Sequence, residues 1–259
     1  MSTTTLALVG AAGGAGTTRT AVELAAMGAR DGRDVTVLDA ALATQGLAEH
    51  GDGRIDPDLT TLLTDDTDAP LDAATYRLSG IEADANTPGS VSLVPARAPF
   101  ERLARAKTAA AARELERRID AAAATSDAVI VDTAPVASNE AVAAVTSTDR
   151  VAGVYPASPH GRDALQRLRG RVTDVGATVD RTVAVARPGT AGADGDRDDP
   201  ASTDADAFLP VTEPARADAP VATTGHGEYS RAIADAYGTL FDADVGVPFE
   251  DPGVLDRLR

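Results

Sequence analysis

The chain has 259 residues, enough for one sizeable α/β domain with a full core, and its 43% hydrophobic content excludes a disordered chain. Its net charge is −16, from 30 Asp and 10 Glu against 23 Arg and a single Lys, Lys107. Only 3% of residues are aromatic, so the core must be built from Ala, Val and Leu. There is no cysteine, which excludes a disulfide framework, a thiol nucleophile and any cysteine-based metal site. In chain order, Leu6–Val9 reads as a buried strand and Gly10–Gly16 as a glycine-rich turn. Thr17–Arg30 reads as a helix and Asp34–Asp39 as a second strand. Strand, helix and strand within so short a span predict a parallel, right-handed βαβ unit. A short helix is expected near Leu59–Leu63 and a strand at Ser90–Pro95. One long helix is expected from Pro99 to Ala124, enclosing Lys107.

The second half continues the alternation. Asp127–Asp132 is a continuous apolar run ending in an acid, as expected of a central parallel strand. Asn139–Val145 reads as a helix, Arg150–Tyr155 as a strand, Arg162–Val175 as a helix and Arg181–Ala186 as a strand. Residues 188–206, rich in Gly, Asp and Pro, read as a mobile loop. Phe208–Val211 reads as a last strand and Glu228–Phe241 as a last helix. The expected architecture is α/β: a mostly parallel sheet with helices on both faces, in one domain over residues 1–247 with a tail at 248–259.

Several function classes receive no support. His50, His160 and His226 are widely separated and show no ligand spacing. No apolar run reaches the roughly 18 residues of a membrane span. The N-terminal residues carry neither a charged n-region nor an h-region, so the expected location is the cytoplasm. Arg167, Arg169 and Arg171 read as a solvated helix face, so direct nucleic-acid binding is not expected. The tail Phe249–Arg259 is interrupted by Pro252-Gly253, so no membrane-targeting helix is expected there.

The glycine turn carries the chemistry. A strand, a glycine-rich turn and a helix N-terminus point several backbone N–H groups into one concavity, where the helix dipole adds positive potential. Glycines permit close backbone approach to an anion. The plain alternative is a tight strand-to-helix turn with no ligand.

Gly10 to Thr18 resembles the deviant Walker A loop of the MinD/ParA family of ATPases, a lysine-bearing loop that reads Gly-Lys-Gly-Gly-Val-Gly-Lys-Thr-Thr. Here the corresponding residues are Ala11, Ala12, Gly13, Gly14, Ala15, Gly16, Thr17, Thr18 and Arg19. Asp39-Ala40-Ala41 resembles the family's Asp-Ala-Asp after the second strand, and Asp132-Thr133-Ala134-Pro135 its Walker B segment. Asp149–Leu168 resembles a further strand-and-helix region. The resemblance implies a P-loop fold, a dimer, and ATP with Mg²⁺ as ligands. It places nucleotide contacts at Gly13, Gly14, Ala15, Gly16, Thr17, Thr18, Arg19, Asp39 and Asp132, with Thr18 and Asp132 on the metal. Without a ligand, Thr18 would be a helix cap and Asp132 a strand-end acid capping a turn.

The departures matter equally. By the resemblance, the P-loop lysine falls on Thr17, the signature lysine on Ala12, the switch acid on Ala41 and an adenine-reading Asn on Ala186. Arg19 is near in sequence, but a planar guanidinium copies an ammonium poorly. No catalytic residue is therefore assigned. The expectation is a degenerate, non-catalytic or weakly nucleotide-binding protein with a regulatory or scaffold role in organising cell machinery or DNA. Its expected partner is itself or an active homologue. A residual ATP-hydrolysing switch is one alternative. Another is a dinucleotide-binding protein, since Gly10-x-x-Gly13-x-x-Gly16 followed by Asp39 also fits a ribose-binding pattern. Against this last reading, Lys107 is preceded at Tyr-x-x-x-Lys spacing by Leu103. Finally, the acidic, lysine-poor composition resembles that of proteins from salt-accumulating haloarchaea, in which screening at molar salt relieves like-charge repulsion.

Overall fold

The computed structural model describes residues 3–80, 87–187, 204–212 and 220–249. Eight strands form one sheet: β1 (Thr4–Gly10), β2 (Asp34–Asp39), β3 (Tyr76–Arg77), β4 (Ser90–Val94), β5 (Ala128–Thr133), β6 (Arg150–Pro156), β7 (Arg181–Val185) and β8 (Ala207–Leu209). Their spatial order is β3-β4-β2-β5-β1-β6-β7-β8. All pairings are parallel except β3 with β4. The seven described helices are α1 (Thr17–Arg30), α2 (Leu59–Thr64), α3 (Phe100–Ala106), α4 (Ala109–Ala123), α5 (Asn139–Thr146), α6 (Pro159–Asp174) and α7 (Glu228–Phe241).

The central strands are apolar on both faces, as a sheet covered by helices on each side requires. One core cluster joins Leu6, Leu8 and Ile130 with Val22, Met27 and Leu24 of α1 and Ile233, Tyr237 and Leu240 of α7. On the opposite face Val129 and Val131 meet Leu115 and Ile119 of α4, and Ala7 and Val9 meet Leu165 and Leu168 of α6. Contact between α1 and β2 is close enough to demand a glycine. A Cβ on Gly28 would lie 2.7 Å from Val35 Cγ2 and 2.9 Å from the Tyr237 ring.

Three sequence expectations need correction. The long helix over Pro99–Ala124 is two helices, because Lys107 ends α3 and Thr108 starts α4, its hydroxyl accepting the Ala111 N–H. α6 begins three residues before Arg162, at Pro159, with Ser158 accepting the Gly161 N–H and proline at the first helical position. β3 was not expected; two residues carry no periodicity. The expected loop at 188–206 lies outside the described residues up to 203, and the tail lies outside them from 250 onward.

Candidate functional site

The carboxyl ends of β1, β2 and β5 converge on a cavity of about 400 Å³. Its floor is the glycine loop between β1 and α1. Gly14 and Gly16 adopt left-handed φ of 69° and 90°, which side chains rarely tolerate. Gly16 is the N-cap of α1 and supplies no side-chain cap, so the first-turn N–H groups of the helix are left to a ligand or solvent. Gly10 is needed for another reason: a Cβ there would lie 2.7 Å from Thr17 Oγ1.

Opposite the loop stand the acids. Thr18 Oγ1 donates to Asp132 Oδ2 at 2.6 Å, tying α1 to the end of β5. Asp39 and Asp132 occupy paired positions on β2 and β5 and are both fully buried. Asp39 accepts the backbone N–H of Ala41 at 3.0 Å and of Ala96 at 3.4 Å. Burial, and next the charge of Asp132, push the Asp39 carboxyl up to about 8, against the pull of its backbone donors. Burial also raises Asp132, and the Thr18 hydroxyl opposes that shift. Asp132 Oδ1 is buried without a hydrogen-bond partner. An acceptor left so beside a cavity suits a divalent cation or its water. Among the described residues no group of three or more His, Asp or Glu could hold a metal alone. Mg²⁺ here would rest on Thr18, Asp132 and ligand oxygens, the usual habit of an ion that enters with a phosphate.

Gly13, Gly14, Ala15, Gly16, Thr17, Thr18, Arg19 and Asp132 all line this cavity. Asp39 lies behind it: its carboxylate is turned into the protein onto Ala41, Ala96 and the neighbouring acid. The Arg19 guanidinium is engaged by Glu23, its Nε donating at 2.7 Å. Glu23 is wholly buried and also accepts the backbone N–H groups of Val221 and Ala222. Ala12 and Ala41 line the cavity with methyl groups where the resemblance places charges. Lys107 ends α3 and is not among the lining residues.

Four lining residues escaped the sequence reading: Thr44, Gly46, Glu49 and His50. They come from the 3-10 turn at Gly46–Glu49 and its flanks. This turn packs directly on the site, since a Cβ on Gly46 would lie 3.4 Å from Thr18 Oγ1. Aperiodic segments give no sequence signal of this kind.

Two observations weigh against the dinucleotide alternative. β5 separates β1 from β2, whereas a dinucleotide fold places those strands side by side. The buried Asp39 carboxylate also presents no free edge to a ribose.

No protein-family model matches the sequence, and no curated protein is significantly similar to it. Solved structures do resemble it. The cell division ATPase MinD of Pyrococcus furiosus superposes with a TM-score of 0.69 at 17% identity, covering 93% of this chain and 99% of that one. A ParA family ATPase from Chlorobium tepidum gives 0.64 at 17%, covering 93% and 92%. The septum site-determining protein MinD of Pyrococcus horikoshii, complexed with Mg-ADP, gives 0.63 at 19%, covering 80% and 81%. Glycine loop, strand order and these likenesses together establish that the chain has the MinD/ParA-like P-loop NTPase fold.

Proposed function

We propose that this protein is a degenerate member of the MinD/ParA-like group that binds a Mg²⁺-nucleotide weakly and acts as a regulatory or scaffold protein rather than an ATPase. One observation carries the reading. The backbone half of a phosphate site is intact, while the side-chain half is methyl and hydroxyl groups at Ala12, Thr17 and Ala41. Backbone N–H groups need no lysine to meet a phosphate. Phosphoryl transfer, in contrast, depends on positioned charge, and loss of one such group typically lowers kcat by about 10²–10³-fold. The magnesium when bound would neutralise phosphate charge; Thr18 and the buried, unpartnered oxygen of Asp132 would be its supports. We place the protein in the cytoplasm, paired with itself or an active homologue, and read its acidity as an adaptation to high salt. Among the described residues no helix is long and apolar enough to cross a membrane.

Calorimetry with Mg-ATP and Mg-ADP at molar KCl tests this. Binding is expected in the wild type and lost in Gly14→Val, whose side chain would both strain a φ of 69° and block approach to the loop. Failure of the wild type to bind either nucleotide overturns the reading.

A further inference from the structure

A nucleotide at the proposed site would gain from a nearby cation, and the Arg19 guanidinium is already engaged by Glu23. Across the loop, however, β7 ends at Val185 beside the glycine turn: a Cβ on Gly16 would lie 3.6 Å from Val185 Cγ1. Two residues on, the Arg187 guanidinium donates through Nη2 to the carbonyl oxygen of Gly14, at the exposed tip of the turn. The same nitrogen lies 3.6 Å from where a Gly14 Cβ would stand. Ala186, between them, is fixed by its N–H to the Leu209 carbonyl and brings no functional group. Arg187 is not itself among the residues lining the cavity, but its contact with Gly14, which is, puts it at the carboxyl end of the sheet, where open α/β sheets bind their ligands.

We propose that Arg187 is the phosphate-binding cation of this site, exchanging the Gly14 carbonyl for a phosphate oxygen of the bound nucleotide. The assignment rests on the nucleotide-binding reading above and names the residue that supplies the charge in it. Two features support it. The side chain is already in contact with the backbone of the loop whose N–H groups would hold the phosphates. Its guanidinium is a permanent cation that can engage two phosphate oxygens at once, in a geometry different from a lysine's point charge. A cation arriving from the β7 end also differs in origin from one carried on the loop itself, and explains how Thr17 can be tolerated at the start of α1.

The test uses the full-length protein at molar KCl, with Mg-ADP and inorganic pyrophosphate as separate calorimetric probes. Arg187→Ala is expected to weaken both by about 10- to 100-fold, the range for losing a charged hydrogen bond. Arg187→Lys should recover part of the loss by keeping the charge without the fork. Circular dichroism should show both variants folded. Wild-type binding unchanged within twofold in Arg187→Ala overturns the assignment and leaves the nucleotide reading standing. Weakened Mg-ADP with unchanged pyrophosphate overturns the phosphate contact by moving it to sugar or base. Absence of binding in the wild type removes both proposals together.

Discussion

Asp39 and Asp132 stand side by side, in register, on adjacent parallel strands, and neither exposes any surface to solvent. Two carboxyl groups so placed cannot both ionise cheaply. An Asp raised in the folded state to about 8 from an ordinary value near 4 binds more protons folded than unfolded across that window. Stability of the metal-free protein should therefore fall as pH rises from about 4 to about 8 and level off above, as far as this group is concerned. Asp39→Asn should reduce that slope, leaving stability at pH 4 nearly unchanged and raising it at pH 8. Denaturant titrations in EDTA across this range check the sign; a variant curve parallel to the wild type would refute it.

Glu23 holds three donors at once: the Arg19 guanidinium and the N–H groups of Val221 and Ala222. Removing it strands a partly buried cation and frees the segment that covers α1. Glu23→Ala should cost about 3–5 kcal/mol, the range for breaking a buried ion pair from one side. Glu23→Gln should cost less because it keeps an acceptor. Chemical denaturation resolves the two; equal and small losses would mean that the segment at 220–223 is held by other contacts.

Hydrolysis gives a sharper test of the non-catalytic reading. A phosphate-release assay with excess Mg-ATP at molar KCl should show no turnover above background in the wild type. The combined change Ala12→Lys, Thr17→Lys and Ala41→Asp should restore part of the activity, since Thr18 and Asp132 already stand together at the site. Wild-type turnover abolished by Asp132→Ala would show instead that the chain is a working ATPase.

Salt dependence follows from the net charge of −16. The Debye length is about 10 Å at 0.1 M and about 3 Å at 1 M, so surface carboxylates repel at low salt and hardly interact at high salt. The melting temperature should fall on dilution from molar to low KCl. Equal melting by circular dichroism at both would exclude adaptation to salt as the reason for the acidity.

Much of this architecture is legible in the residues. The buried strands declare themselves as apolar runs, and α1, β2 and α7 fall on the expected bounds. The helix break at Lys107-Thr108 hides because Ala and Arg on both sides favour helix equally, leaving one threonine cap to decide. The glycine loop and Asp132 are local patterns and could be read. The pairing of Asp39 with Asp132 depends on strand order, the lining by Glu49 and His50 on an aperiodic turn, and the reach of Arg187 to Gly14 on a contact across the sheet. None of these leaves a periodic trace in sequence.

The position of β5 between β1 and β2 also constrains how the chain can be made. Thr4 pairs with Ala128, and Val35 pairs with that same residue from the other side. During synthesis the two N-terminal strands must wait, with apolar edges unpaired, until the middle of the chain emerges and slots between them. Loop-closure entropy of that size slows folding, and unpaired edges invite association with other nascent chains. The glycine loop and its acids thus come together late, in one step with the closing of the sheet, so a fragment ending before residue 128 would hold the loop's sequence without the site.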